Sequence, residues 1–298
     1  MRVSTSLFYD RAAGAMGRLS TQADRLQTQI ATGKRLAAAS DDSAAYSRLR
    51  TLARDSADAG ADAGNLDTAA AVLRQADSTL GDMAGVLTRA LELALRGRNG
   101  TNSATSRGAI ADEIDALRDQ LFSLGNTTDA RSQPLFGDRS GGAAVTLNAD
   151  GSYTYAAVAP GAIPTANGGS VQPSEAAERV FRSGAVDMLQ TLTDLSAALR
   201  AGGAGFDAAA ATAIADIQAS STQVLTVQAS LGARAARVEL EQAALEQGGV
   251  DREAARSAIE DTDITTAITE LQKTMTVLQA TQASFAKLQG LSLFDYIR

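Results

Sequence analysis

Residues 66–95 read LDTAAAVLRQADSTLGDMAGVLTRALELAL, and Leu66, Leu73, Leu80 and Leu87 fall seven positions apart. A seven-residue apolar repeat is the period of a helix with one flank against other helices. Ala and Leu favour a helix, and no Pro interrupts the stretch. Extended outward, the spacing predicts a helix from Ser40 or Asp41 to about Leu95. At 1.5 Å per residue such a helix is about 80 Å long. The run GRNGTNS then breaks it.

The same rhythm recurs on both sides. Upstream, Ala12, Met16, Leu19, Ala23, Leu26 and Ile30 alternate steps of four and three, and Gly33 offers a C-terminal stop. Downstream, Ile110, Ile114, Leu117, Leu121 and Leu124 mark a third helix ending at Gly125-Asn126. A fourth is expected from about Ser174 to Arg200, bounded by AGGAG, and a fifth from about Phe206 to Gln247. In the fifth, Ile217, Val224, Leu231, Val238 and Leu245 are again seven apart, and Gly248-Gly249 is expected to close it. The last helix runs from about Asp251 to Gln289, with Ile264, Ile268, Leu271, Met275, Leu278 and Phe285 on one stripe that only Gln282 interrupts.

Between Pro134 and Pro173 the character changes. AAVTLNADGSYTYAAV alternates β-forming residues around Asp150-Gly151, a hairpin pattern. Three of the four Pro lie at 160, 164 and 173, so this segment reads as a small β-rich insertion at an exposed tip. The fold class is therefore mainly α: a long-helix bundle with terminal coiled-coil helices and a β-rich insertion. Its expected organisation is a terminal-helix domain from 1–42 and 251–298, a helical core domain from 43–135 and 174–250, and a surface domain from 136–173.

Composition narrows the function. The formal charge is −7, which disfavours nucleic acid as the main partner, since phosphate neutralisation needs a basic face. The chain has no Cys and no His, which removes disulfides, thiol nucleophiles and every His-based triad. Gly33-Lys34-Arg35 lacks the earlier Gly and following Ser/Thr of a phosphate loop, and reads as a solvated helix end. Gly202-Gly203-Ala204-Gly205 follows no strand, so no dinucleotide site is expected. Asp41-Asp42 opens a helix and is expected to cap it. Asp261 and Asp263 stand two apart on an expected helix and so face different ways, with no third ligand in view. No catalytic, cofactor or metal site is expected.

No segment resembles a cleaved secretory leader or approaches the ~20 apolar residues of a membrane helix, so by those rules alone the chain reads as cytoplasmic. The ends remain to be explained. Aromatic residues make up 4% of the chain, yet Phe8, Tyr9, Phe285, Phe294 and Tyr296 crowd its two extremities. Large apolar side chains at chain ends need a cover. Packing of the two terminal stripes on each other covers one flank of each helix and leaves an outer flank, with Phe294, Tyr296 and Ile297 beyond Gly290, for other copies.

At this point a family resemblance enters. IATGKRLAAASDDSAAYSRL (30–49), RNGTNSATSRGAIADEI (98–114) and VQASLGARAARVEL (227–240) resemble segments of the flagellin superfamily. The likeness covers about 1–135 and 175–298. Within that superfamily MRVSTS at the start, LGNTTDARSQPLFGD (124–138) and LSLFDYI near the end look like the members that join the hook to the filament. Ser43, Pro134, Asp138 and Arg298 depart from their pattern, and the filament subunit itself is the alternative.

The resemblance implies a structural role without catalysis, in an extracellular flagellum reached by type III export with no cleaved signal peptide, which overrides the cytoplasmic reading. It implies as partners copies of the chain in a helical ring, hook-associated protein 1 on the hook side, flagellin on the filament side and a flagellar export chaperone, with neither nucleic acid nor membrane. The expected assembly residues are Leu7, Phe8, Met16, Leu19, Leu26 and Ile30, with Leu271, Met275, Leu278, Phe285, Leu293, Phe294, Tyr296 and Ile297.

Overall fold

The computed structural model describes residues 2–100, 102–138, 142–203 and 205–296, and leaves out the side chains of 2–6, 8, 167 and 288–296. Seven α-helices run among the described residues: α1 (Arg2–Thr32), α2 (Ser43–Gly97), α3 (Ala104–Gly125), α4 (Ala177–Phe181), α5 (Met188–Ala201), α6 (Phe206–Glu260) and α7 (Ile264–Tyr296). Three small antiparallel pairs join β1 (Val145–Leu147) to β2 (Tyr153–Tyr155), β3 (Ile163–Pro164) to β4 (Ser170–Val171), and β5 (Arg182–Ser183) to β6 (Val186–Asp187). The chain divides into two compact units, Met1–Asp58 with Gln247–Arg298, and Ala59–Glu246.

In the second unit the seven-residue repeat is the core. Leu66, Leu73, Leu80 and Leu87 of α2 and Ile217, Val224, Leu231 and Val238 of α6 are all buried. The two helices run antiparallel, tied by Arg98 to Asp207 at 2.7 Å and by Gln242 Nε2 donating to Asp67 Oδ1 at 2.8 Å. Ile110, Ile114 and Leu121 of α3 join the same core. Helix α5 lies antiparallel to α3, with Arg200 bridging Asp112 at 2.7 Å and Asp115 at 2.6 Å.

The GRNGTNS break is capped on both sides. Asn102 Nδ2 donates to the Arg96 carbonyl at 2.6 Å, closing α2, and Ser103 Oγ accepts from the Ser106 N–H at 3.1 Å, opening α3.

The hairpin around Asp150-Gly151 forms as expected, with Val145 opposite Tyr155 and Gly151 at φ +85° in its turn. One face of it is buried at its open end, at Val145 and Tyr155, while Leu147 on the same face is 58% exposed. Val145 is fully covered, and its N–H and carbonyl are both bound by the Asn126 side chain at 3.0 and 2.9 Å. Tyr155 stacks on Phe181 with ring centroids 5.4 Å apart and donates its hydroxyl to Asp187 Oδ1 at 2.6 Å. Burial, then the Asp187 carboxylate, push the Tyr155 phenol well above its usual range.

Three helix boundaries differ from expectation. The last helix, expected from about Asp251, begins only at Ile264, so Asp261 and Asp263 lie in the turn before it and not on a helix. The expected helix over 174–200 is two helices, because Gly184 at φ +62° makes a two-residue turn that pairs Ser183 with Val186 and Arg182 with Asp187. Asp187 then caps α5, its Oδ1 accepting from the Gln190 N–H at 3.1 Å. Conversely, Gly248-Gly249 does not end α6, which continues to Glu260. A helix-interior Gly costs about 0.5–1 kcal/mol relative to Ala, a penalty that does not stop a helix this long.

Candidate assembly surface

Helices α1 and α7 pack antiparallel within the first unit. One end of the pair is set by turns. The Arg35 N–H donates to the Glu260 carbonyl at 2.7 Å, and the Thr262 N–H to the Gly33 carbonyl at 2.9 Å. These two bonds form a bridge between Lys34 and Asp261. Lys34 Nζ sits 2.5 Å from Glu260 Oε1, and Arg35 Nη2 donates to the Ile259 carbonyl at 2.9 Å. The Gly33-Lys34-Arg35 motif is thus a docking turn rather than a merely solvated helix end. Gly33 lies at φ +70°, a conformation in which only Gly is free of steric cost.

The acidic residues of the two turns are local fasteners. Asp263 opens α7, its Oδ1 accepting from the Thr265 and Thr266 N–H groups at 3.0 and 3.2 Å and its Oδ2 from the Thr266 hydroxyl at 2.8 Å. Those bonds from Thr266 hold the Asp263 carboxyl below the usual carboxylate range. Asp261 accepts from the Ser257 hydroxyl. Asp42 caps α2 through the Ala45 N–H at 2.9 Å, as expected, while Asp41 Oδ2 binds the Ala37 and Ala38 N–H groups at 3.0 Å each.

Far from the turns, the Tyr9 and Phe285 rings meet edge to face, 5.4 Å apart. Equal steps inward from that contact set Met16 level with Leu278 and Leu19 level with Met275. The buried line between the helices runs through Ala23 of α1 and through Ala267 and Thr274 of α7, each about 5% exposed. Met16, Leu19, Leu26 and Ile30 are half-buried along it, as are Leu271, Leu278 and Phe285.

The expected α7 stripe is therefore split. Ala267, Leu271, Thr274, Leu278, Thr281 and Phe285 form the seam facing α1, in steps of four and three. Ile264, Ile268 and Met275 are left 40–48% exposed. At 100° per residue these three centre about 80° around the helix from the seam. Small side chains at 267 and 274 let the backbones approach closely, and that rotates the larger Ile and Met off the contact. A search for bulky apolar residues alone misses this seam, although Ala267, Thr274 and Thr281 carry the signal in their seven-residue spacing.

Leu7 is 50% exposed and lies on the far side of α1 from Ala23. Among the other expected assembly residues, the side chains of Phe8, Leu293, Phe294 and Tyr296, and all of Ile297, lie outside the described residues. The first unit thus has a paired seam and a free apolar flank. Among the described residues no group of three or more Asp or Glu stands ready to hold a metal ion, and no helix is long and apolar enough to cross a membrane.

Comparison with known proteins agrees with the sequence resemblance. Residues 3–140 match the model of the bacterial flagellin N-terminal helical region, and residues 214–297 that of the bacterial flagellin C-terminal helical region. The chain is similar end to end to flagellar hook-associated protein 3 of Escherichia coli K12, at 28% identity over 99% of both chains. The protein of the same name from Salmonella typhimurium is 26% identical over 100% of both. Likeness to a Clostridium tyrobutyricum flagellin, at 26% identity, spans 51% of this chain and 40% of that one. Among solved structures, a flagellar hook-associated protein of Vibrio parahaemolyticus shares the fold, with a TM-score of 0.70 over 74% of this chain and 100% of that one, at 20% identity.

Proposed function

We propose, from the premise that the chain belongs to the bacterial flagellin family, that it is the structural subunit joining the flagellar hook to the flagellin filament. One observation carries this choice within the family. The likeness to hook-associated protein 3 is end to end, whereas that to a flagellin stops at about half of each chain. The role is one of packing rather than catalysis. Its partners are further copies of the chain, the hook-side adaptor hook-associated protein 1, flagellin and an export chaperone. Export by the flagellar type III route, without cleavage, belongs to the same proposal.

The assembly contacts are assigned to the terminal helices. The free flank of Ile264, Ile268 and Met275, with Leu7, supplies apolar surface that the α1–α7 pair does not cover. Leu293, Phe294, Tyr296 and Ile297 extend that assignment to the C-terminal end.

The test is complementation. In a strain lacking its own junction protein the chain is expected to restore filaments, with a few copies per flagellum at the hook end. In a strain lacking flagellin it is expected to restore none. Rescue of the flagellin deletion alone would overturn the reading in favour of the filament subunit. Removal of 291–298 is expected to leave a soluble protein that no longer supports filament growth.

A further inference from the structure

The chain passes between its two compact units twice, at 58/59 inside α2 and at 246/247 inside α6. A helix in a protein draws most of its stability from side chains packed along one face. Here that support stops short of both crossings. Helix α2 has no buried residue before Leu66, and α6 has none after Val238.

The sequence at the α2 crossing is ADAGADAG (57–64), a four-residue unit written twice. From Asp55 to Asn65 no apolar side chain is larger than that of Ala, so nothing there can anchor a core. Gly is the poorest helix former after Pro, and Asp, Ser and Asn are weak ones. Just past the α6 crossing, Gly248 and Gly249 stand side by side, followed by the β-branched Val250.

No packing need explains these glycines. A Cβ at Gly60 or Gly64 meets nothing within 4 Å, and one at Gly248 or Gly249 meets only the guanidinium of Arg252, at 3.2 Å or more. None of the four lies at positive φ, so Ala fits at each. Gly81 and Gly85 form a similar pair within α2, but Leu80, Met83 and Leu87 around them are fully buried and hold the backbone. The crossings have the glycines without the anchors.

We propose that α2 and α6 are jointed at these two places, so that the two units change direction relative to one another in solution. Hinge motion is absorbed by a few residues, often small ones, and local opening is cheap where buried apolar contacts are few. A turn between the units requires both helices to yield, and each carries its weak point at the crossing. The joint does not depend on the junction reading, but its use does. On that reading the subunit meets differently arranged neighbours on its two sides, and the joint lets each unit seat against its own.

Spin labels test the joint, because the chain has no Cys and labelling sites can be chosen freely. S47C/S78C spans the α2 crossing at exposed positions, which a straight helix sets about 46 Å apart. A71C/T88C, about 26 Å apart and wholly in the second unit, is the rigid standard. Double electron–electron resonance is expected to give S47C/S78C a distance distribution about twice as wide as the standard or wider, with a tail below about 46 Å. The fourfold variant G60A/G64A/G248A/G249A is expected to bring that width down to the standard, and G81A/G85A to leave it unchanged. Hydrogen exchange over 57–64 is expected to be at least about tenfold faster than over 80–87 and to slow in the fourfold variant.

A narrow S47C/S78C distribution in the parent chain, or a width that the fourfold variant does not change, overturns the joint. In the complementation strain the fourfold variant, folded and exported, is expected to cut the number of filamented cells about tenfold, and G81A/G85A to leave it unaltered. Full complementation by the fourfold variant overturns the use of the joint in assembly. Failure of the unmodified chain to complement is a failure of the junction reading, and the label distances still decide the joint.

Discussion

The docking turn at Gly33 can be tested by making one chemical change at two places with opposite expected signs. Gly33 sits at φ +70°, and a Cβ added there meets nothing within 4 Å. The cost of Gly33→Ala is therefore conformational and not steric, about 1–2 kcal/mol for an L-residue held in the left-handed region. Gly17, in the same unit, also has open space around a Cβ, but it lies inside α1. There Gly17→Ala removes backbone freedom from the unfolded chain and is expected to stabilise by about 0.5–1 kcal/mol. Hydrogen exchange of the Arg35 and Thr262 amides reads the effect, because those two N–H groups close the bridge between the turns. Gly33→Ala is expected to speed their exchange about 5- to 30-fold. Gly17→Ala is expected to slow it or leave it unchanged, and Gly33→Asn to fall between, since Asn tolerates this conformation better. Equal protection of Arg35 and Thr262 in the parent and the Gly33→Ala protein would refute the idea that this turn holds the terminal helices in register.

Three further outcomes concern the second unit. Leu80→Ala removes a fully buried side chain from the α2 seam and is expected to cost about 2–5 kcal/mol in chemical denaturation. Gly125→Ala places a Cβ 2.7 Å from Phe181 Cζ and 2.8 Å from Val145 Cγ2, so it is expected to destabilise by about 1–3 kcal/mol, read as a lowered melting temperature. The Tyr155 phenol has a raised pKa in the folded protein, so its stabilising contribution is whole below the unfolded value near 10 and is lost as the pH rises above it. Base titration followed by tyrosinate absorbance is expected to show one residue that ionises only with unfolding, and Tyr155→Phe is expected to abolish that step.

The parts of the fold written in the sequence are those where one residue type repeats at one period. Leu66, Leu73, Leu80 and Leu87 of α2 and Ile217, Val224, Leu231 and Val238 of α6 are core residues at the positions their spacing indicates. The hairpin at Asp150-Gly151 is equally plain, because a Gly at positive φ in a tight turn leaves a local mark. The SGAV turn at 183–186 left a mark of the same kind, but helix-forming neighbours on both sides outweigh it in a windowed reading. The pairing of Gly33-Lys34-Arg35 with Glu260-Asp261-Thr262 leaves no local mark. It joins residues more than two hundred positions apart through backbone groups, which every residue carries alike.

The split of the α7 stripe explains why the terminal pair is unfinished as a single molecule. Ala267 and Thr274 draw the helices together, and that leaves Ile264, Ile268 and Met275 about half uncovered. Fully burying an Ile or Met side chain is worth about 1.5–3 kcal/mol, so finishing these three yields about 1 kcal/mol each. Some 3 kcal/mol per copy falls short of the roughly 8 kcal/mol of a micromolar contact, before any loss of motional freedom is counted. The α7 flank therefore cannot recruit a neighbour unaided. It can contribute once a copy is already held by other contacts, because each later contact in a ring forms at high effective concentration. A surface this weak in one pair and cumulative in an array fits the proposed junction subunit, which on that proposal assembles only where several neighbours are presented at once.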